Sequence, residues 1–118
     1  MEQNVIITGQ VANYHTSEKV EDFILHKTAV VGKIEGLKEV AGNAMLTGVI
    51  KDLSSLEKVQ GNLLITGQVG DLSNLKFVGG DLIIHFTGKV EKIGQVDVKG
   101  NKLILGSIGV MKDDDMTR

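Results

Sequence analysis

Apolar residues follow two alternating patterns along this chain. The first is a short block behind a glycine and an amide or acid. Gly42-Asn43-Ala44-Met45-Leu46-Thr47-Gly48 recurs as Gly61-Asn62-Leu63-Leu64-Ile65-Thr66-Gly67, as Gly80-Asp81-Leu82-Ile83-Ile84-His85 and as Gly100-Asn101-Lys102-Leu103-Ile104-Leu105-Gly106. Upstream, Gln3-Asn4-Val5-Ile6-Ile7-Thr8-Gly9 is a clear copy and Glu21-Asp22-Phe23-Ile24-Leu25-His26 a weaker one. The copies start at 3, 21, 42, 61, 80 and 100, so the spacings are 18, 21, 19, 19 and 20. Between them an apolar residue stands at every third position: Val31, Ile34, Leu37, Val40; Ile50, Leu53, Leu56, Val59; Val69, Leu72, Leu75, Val78; and Val90, Ile93, Val96. The first coil keeps Val11, Tyr14 and Val20. A period of three is neither a strand nor a full helical period. It predicts short bends or single 3₁₀ turns, each dropping one side chain into a shared core.

A chain that returns to the same place after about nineteen residues stacks each strand on its copy in the next coil. Parallel ladders then run the length of the molecule at roughly 4.8 Å per coil, giving a rod about 25–30 Å long. The prediction is all-β: a right-handed parallel β-solenoid of about six coils of 18–21 residues, as one domain over residues 1–111, with an acidic tail over 112–118. Two long amphipathic helices or an ordinary α/β domain are the competing readings. The β-branched segments are too short for βαβ units, and glycine interrupts them every twenty residues or so.

Asp71-Leu72-Ser73-Asn74-Leu75-Lys76-Phe77-Val78-Gly79-Gly80-Asp81-Leu82-Ile83-Ile84 and Leu37-Lys38-Glu39-Val40-Ala41-Gly42-Asn43 carry the pattern L-x-x-L-x-x-V before G-[ND]-L-x-I. This resembles the receptor L domain, a leucine-rich-repeat-like β-solenoid of growth-factor-receptor ectodomains. It is also similar to the coils of bacterial and bacteriophage leucine-rich proteins. The likeness runs from coil two through coil five at least. It implies coil geometry; fold does not imply function. Receptor L domains are secreted and cysteine-rich, whereas this chain has no cysteine. Among interaction proteins, a phage or bacterial accessory factor such as an inhibitor of a host enzyme is one expected form.

In the L-domain pattern the Leu and Ile of G-N-L-x-I point inward. Carried over, this buries Val5 and Ile7, Phe23 and Leu25, Ala44 and Leu46, Leu63 and Ile65, Leu82 and Ile84, and Ile104, with Lys102 the inward exception in the last coil. Strand alternation then turns Ile6, Ile24, Met45, Leu64, Ile83 and Leu103 outward. All are large and apolar where a solvent-facing strand should be mostly polar. Two polar ladders flank this stripe: Asn4, Asp22, Asn43, Asn62, Asp81, Asn101 on one side, and Thr8, His26, Thr47, Thr66, His85 on the other. The expected interaction face is the apolar stripe with Thr47, Thr66, His26 and His85. A stripe of this size usually means a partner, and self-association as a dimer is the simplest form, because a two-fold pair buries one patch twice. A second protein partner fits the same face. The reversed register exposes Val5, Phe23, Leu63 and Leu82 instead, and is equally sticky. A third arrangement has the stripe covered by the chain itself. Open solenoid ends also invite stacking, and Asp113-Asp114-Asp115 reads either as a charged guard or as a solvated tail.

Composition narrows the rest. The chain has 118 residues, 24% charged and 42% hydrophobic, enough for one ordered domain. A net charge of -2 without a basic block points away from nucleic acid and anionic membranes. No apolar run reaches membrane-span length and no signal peptide opens the chain, so a cytoplasmic location is expected. With no cysteine there is no disulfide, thiolate metal site or cysteine nucleophile. Fifteen glycines with no proline suit a chain that turns often while every strand keeps its N–H donors. Aromatics are only 3%, which argues against a stacking site for sugars, bases or similar ligands.

No enzyme, cofactor or metal site is expected. His26 and His85 lie three coils apart, roughly 14 Å on the ladder spacing, too far to share a metal ion. Ser54, Ser55, Ser73 and Ser107 sit in no nucleophile elbow, and the glycine pairs recur with the coil as turns, not phosphate loops. The Asn/Asp ladder reads as coil-to-coil bonding to turn backbone, or as a ligand array. The Thr ladder resembles ice-binding solenoids, but His26, His85 and Leu105 interrupt it. The expectation is a non-enzymatic interaction module; the alternative is a small-ligand binder using the Asn, Thr and His ladders or a cleft between subunits.

Overall fold

A computed structural model describes residues 2–111; the tail 112–118, with Asp113–Asp115, lies outside the described residues. Strands follow the repeat. The first coil carries β1 (Glu2–Ile7), β2 (Gln10–His15) and the start of β3 (Lys19–Leu25). The next carry β4 (Val30–Glu35), β5 (Glu39–Val40), β6 (Ala44–Leu46), β7 (Val49–Asp52), β8 (Lys58–Val59), β9 (Leu63–Ile65), β10 (Gln68–Leu72), β11 (Phe77–Val78) and β12 (Leu82–Ile84). The last are β13 (Lys89–Ile93), β14 (Asp97–Val98), β15 (Lys102–Ile104) and β16 (Ser107–Met111). All pair in parallel, each with its copy one coil away, as a β-solenoid of about six turns. No helix occurs among the described residues.

Three sides result. One is built from β1, the second half of β3, and β6, β9, β12 and β15, with ladders such as Ile24–Met45–Leu64–Ile83–Leu103. A second stacks β2, β4, β7, β10, β13 and β16. The third stacks the first half of β3 with β5, β8, β11 and β14, joined through Val20–Val40–Val59–Val78–Val98.

The uneven spacings now have physical causes. From Val20 to Phe23 the chain takes three steps, and β3 turns the corner unbroken; from Val40 to Ala44, the paired positions, it takes four. The added residue belongs to the corner glycine, which ends one strand and starts the next. A Cβ on Gly61 would stand 2.5 Å from both Asn43 Oδ1 and the Gly42 carbonyl oxygen, so the corner closes only over glycine. The spacing of 21 comes from a two-residue insertion at the next corner; the spacing of 20 comes from the same insertion less one residue, since Ile93 to Asp97 takes four steps where Leu72 to Phe77 takes five. Four residues separate Leu25 from Val30, and Ile84 from Lys89, where the aligned coils have two.

The period of three is met by bends, without 3₁₀ segments among the described residues. On the second side the ladder skips one position in every coil, Lys51 against Gly70 for example, so two residues face out between Ile50 and Leu53. A Cβ on Gly70 would overlap the Lys51 carbonyl oxygen. At the following corner a tight turn brings the Leu56 N–H to the Leu53 carbonyl at 3.2 Å.

The core is a stack of single-residue columns, and no polar or charged residue is buried among the described residues. Val5, Ile7, Phe23, Leu25, Ala44, Leu46, Leu63, Ile65, Leu82 and Ile84 all point in and are buried. Ile104, expected in the core, is 38% exposed: no further coil covers it among the described residues. Lys102 continues the inward column above Leu82 and is exposed for the same reason.

Two carboxylates carry shifted ionisation. Hydrogen bonds from the Ser54 hydroxyl (2.6 Å) and backbone N–H (2.9 Å) hold Asp52 below its ordinary value, against partial desolvation, with help from Lys33. A hydrogen bond from Gln60 Nε2 at 2.7 Å does the same for Glu39, against partial desolvation, with Lys19 and Lys58 adding to it. A depressed folded value means stability that is complete above the ordinary carboxylate range and lost as pH falls through the folded value. The melting temperature is therefore expected to drop once pH goes below about 4, and Asp52→Asn should flatten part of that slope in thermal melts taken from pH 6 to 2.5. Gly70→Ala, which forces a methyl into a backbone oxygen, should lower stability by about 2 kcal/mol or more. Urea unfolding checks this; an unchanged midpoint would mean the strand kink relaxes freely.

Candidate interaction face

The three sides differ chemically. On the third, charges alternate from coil to coil: Glu18, Lys38, Glu57 and Lys76 along one row, Lys19, Glu39 and Lys58 along the next. Lys19 reaches Glu39 at 3.7 Å and Lys38 reaches Glu57 at 3.8 Å, exposed pairs that add little stability but keep this side solvated. The second side mixes the exposed Val30 with Lys51, Gln68 and Lys89.

The first side is apolar along its middle. Strand alternation turns Ile6, Ile24, Met45, Leu64, Ile83 and Leu103 out of the core in one register column. Ile6 is 61% exposed, Leu103 47% and Met45 39%, while Ile24, Leu64 and Ile83 are half-buried between their neighbours. No described residue crosses over the stripe to enclose it. An open depression on this side is lined by Met45, Leu64 and Ile83 with Asn43, Asn62 and Asp81.

The flanking ladders have separate tasks. Asp22 Oδ1 accepts the Asn43 N–H at 2.9 Å, Asn43 Oδ1 the Asn62 N–H at 2.9 Å, Asn62 Oδ1 the Asp81 N–H at 2.8 Å, and Asp81 Oδ1 the Asn101 N–H at 2.8 Å. Each side chain thus supplies the acceptor that the glycine corner of the next coil requires. On the other edge Thr47 Oγ1 donates to the Leu25 carbonyl at 2.6 Å, and the Thr66 carbonyl accepts from Thr87 Oγ1 at 2.9 Å. His26 and His85 stand at this edge, exposed and half-buried respectively, each opening one of the two-residue insertions.

Those insertions escaped the reading of the repeat. They share His-x-Thr followed by a small residue, and they fold alike. The Thr28 N–H donates to His26 Nδ1 at 3.2 Å and the Ala29 N–H to the His26 carbonyl at 2.8 Å. The Thr87 N–H meets His85 Nδ1 at 3.4 Å and the Gly88 N–H meets the His85 carbonyl at 2.7 Å. The second loop exposes Phe86 to 69% and holds its ring against His85, centroids 4.2 Å apart. The signal was present in the spacings of 21 and 20 and in the repeated His-x-Thr.

Among the described residues no three His, Asp or Glu side chains come together as a metal-binding group, and no helix is long and apolar enough to cross a membrane. No protein family matches the chain, and neither a curated protein nor a solved structure matches it.

The amide ladder yields a direct test. Asn62→Ala strands the Asp81 N–H at a glycine corner and should cost about 1–2 kcal/mol. Asn62→Asp keeps the acceptor and should cost much less. Equal losses in denaturant unfolding would remove the ladder's structural role.

Proposed function

We propose that this chain is a non-enzymatic protein-interaction module that associates with a second copy of itself through the apolar side of the solenoid. One observation carries the reading: six large apolar side chains in a single register column face outward on one side, while the third side alternates charge. Large contiguous apolar surface on a soluble fold marks a contact site. The coil geometry, with inward Leu and Ile after Gly-[Asn/Asp], supports kinship with receptor-L-like and leucine-rich solenoids. A second protein partner, held by this chain as a phage or bacterial accessory factor or inhibitor, would use the same side, in the cytoplasm.

Size sets the expected strength. Six coils at about 4.8 Å and four residue steps at about 3.3 Å give a face of roughly 29 by 13 Å. Two such faces, allowing for side-chain relief, bury on the order of 1,000 Å², the small class of interface. Association in the micromolar range is therefore expected, not an obligate dimer. Binding of a small ligand by the Asn/Asp ladder is the weaker reading, because Oδ1 atoms of that ladder are occupied by backbone N–H groups. A thermal-shift screen of metabolites and nucleotides separates the two, since a ligand of the native state raises the melting temperature.

Light scattering should report a mass that rises with concentration above the 12.7 kDa of one chain. Leu64→Lys combined with Ile83→Lys should give a folded monomer at all concentrations. Failure of that variant to fold would show the stripe to be core, and a wild-type chain monomeric at millimolar concentration would remove the proposal.

A further inference from the structure

The two ladders that border the stripe vary together. Aspartate replaces asparagine only in coils two and five, Asp22 and Asp81; histidine replaces threonine in the same two coils, His26 and His85. The other coils pair Asn4 with Thr8, Asn43 with Thr47 and Asn62 with Thr66, and the last pairs Asn101 with Leu105.

The insertion loops account for the histidines, but contact within the chain does not account for the aspartates that accompany them. Asp22 and His26 lie four residues apart on one side of the solenoid, about 13 Å at strand rise. Neither aspartate has an ion-pair partner among the described residues. Nor does the fold require a carboxylate there. Asn43 and Asn62 accept the backbone N–H of the next coil at the same distances as Asp22 and Asp81 do. The histidines are fixed by their loops, with Nδ1 facing the N–H of Thr28 or Thr87. The same Nδ1 atoms also lie 2.9 Å from Thr28 Oγ1 and 3.2 Å from Thr87 Oγ1; in the tautomer whose Nδ1 accepts the backbone N–H, Nε2 carries the ring proton and is a donor.

We infer that the chain pairs face to face with a second copy about a two-fold axis parallel to the solenoid axis, each coil lying on its own copy, so that Asp22 meets the partner's His26 and Asp81 the partner's His85. The inference rests on the apolar side being the self-association surface. A two-fold in this direction preserves coil order and reverses strand direction. It brings the Asn/Asp edge of one copy against the Thr/His edge of the other and places the stripe residues on the axis. Four acceptor–donor pairs form, two in coil two and two in coil five, at equal distances from the middle of the interface. A two-fold along the strand direction is the other face-to-face arrangement. It would lay coil two on coil five, with His26 against His85 and Asp22 against Asp81, and the like charges of the two aspartates directly opposed are unfavourable. Charge therefore selects the first arrangement. Since the apolar area is small, these rim pairs decide the orientation.

Sedimentation equilibrium on the full chain tests this through a mutant cycle. Asp22→Asn with Asp81→Asn keeps the backbone acceptor and removes only the charge; it should weaken the dimer about tenfold, four exposed pairs being lost. His26→Asp with His85→Asp retains a side chain able to accept the N–H two residues on, but opposes carboxylate to carboxylate; it should weaken the dimer at least a hundredfold. Adding Asp22→Asn and Asp81→Asn to that second variant should now tighten the dimer at least tenfold, because an amide can donate to the facing carboxylate. The same asparagine substitutions thus act with opposite sign in the two backgrounds. If the aspartate variants prove unfolded by circular dichroism, His26→Asn with His85→Asn serves in their place. Combined with the Asp→Asn pair, it should then weaken the dimer no further than either pair does alone. Effects of the same sign in both backgrounds, or fully additive ones, overturn the pairing while leaving self-association intact. A wild-type chain that stays monomeric overturns the pairing together with the reading it rests on.

Discussion

Parallel stacking of each coil on the one before it is the constraint from which the rest of this molecule follows. A strand in this fold has no partner in its own coil; its N–H and C=O groups are satisfied only if the chain comes back to the same place about nineteen residues later. That return forces every coil to share one cross-section. Core residues then stand in columns, such as Leu25, Leu46, Ile65 and Ile84, each closing the layer beneath it. The last coil shows the rule by exception: with nothing above them among the described residues, Ile104 is part-exposed and the inward column ends in Lys102.

Stacking also explains where tolerance ends. A backbone oxygen of the coil below sits where a side chain would start at the corner and kink positions, so glycine is required at Gly61 and Gly70 by the neighbouring coil and not by local conformation. The Asn/Asp ladder solves the companion problem. At the corner the strand breaks, a backbone N–H loses its ladder partner, and the side chain one coil earlier replaces it. Insertions are admitted only where they project, as at Lys27-Thr28 and Phe86-Thr87, and there the histidine side chain and carbonyl close the loop without disturbing the strands on either side.

A side built this way is a flat array whose chemistry is set row by row. On the charged side, alternate signs meet from one coil to the next. On the apolar side, the outward row is hydrophobic throughout, and the proposed self-association rests on it. Its bordering rows then supply the polar asymmetry from which an orientation can be read: acids on one edge, imidazoles on the other, in the same two coils.

How much of this the residues declare can be judged position by position. Repeat length, coil number, the inward pairs from Val5 to Ile84 and the outward stripe all follow from side-chain alternation over a repeated block, because a strand's two faces are a local property of its backbone. Even the glycine corners are visible as Gly-Asn and Gly-Asp. Three things were decided only by the stacked structure. The spacing of three is met by strand kinks and tight turns, since what matters is where the chain must return and not the local period. The Oδ1 atoms of the amide ladder are committed to the next coil's backbone, a contact between residues nineteen to twenty-one apart along the chain. The irregular spacings become projecting loops at one edge, because only pairing on both sides of the insertion shows which residues are extra. Local alternation is written in adjacent residues; closure between coils depends on atoms that meet only after the chain has come round.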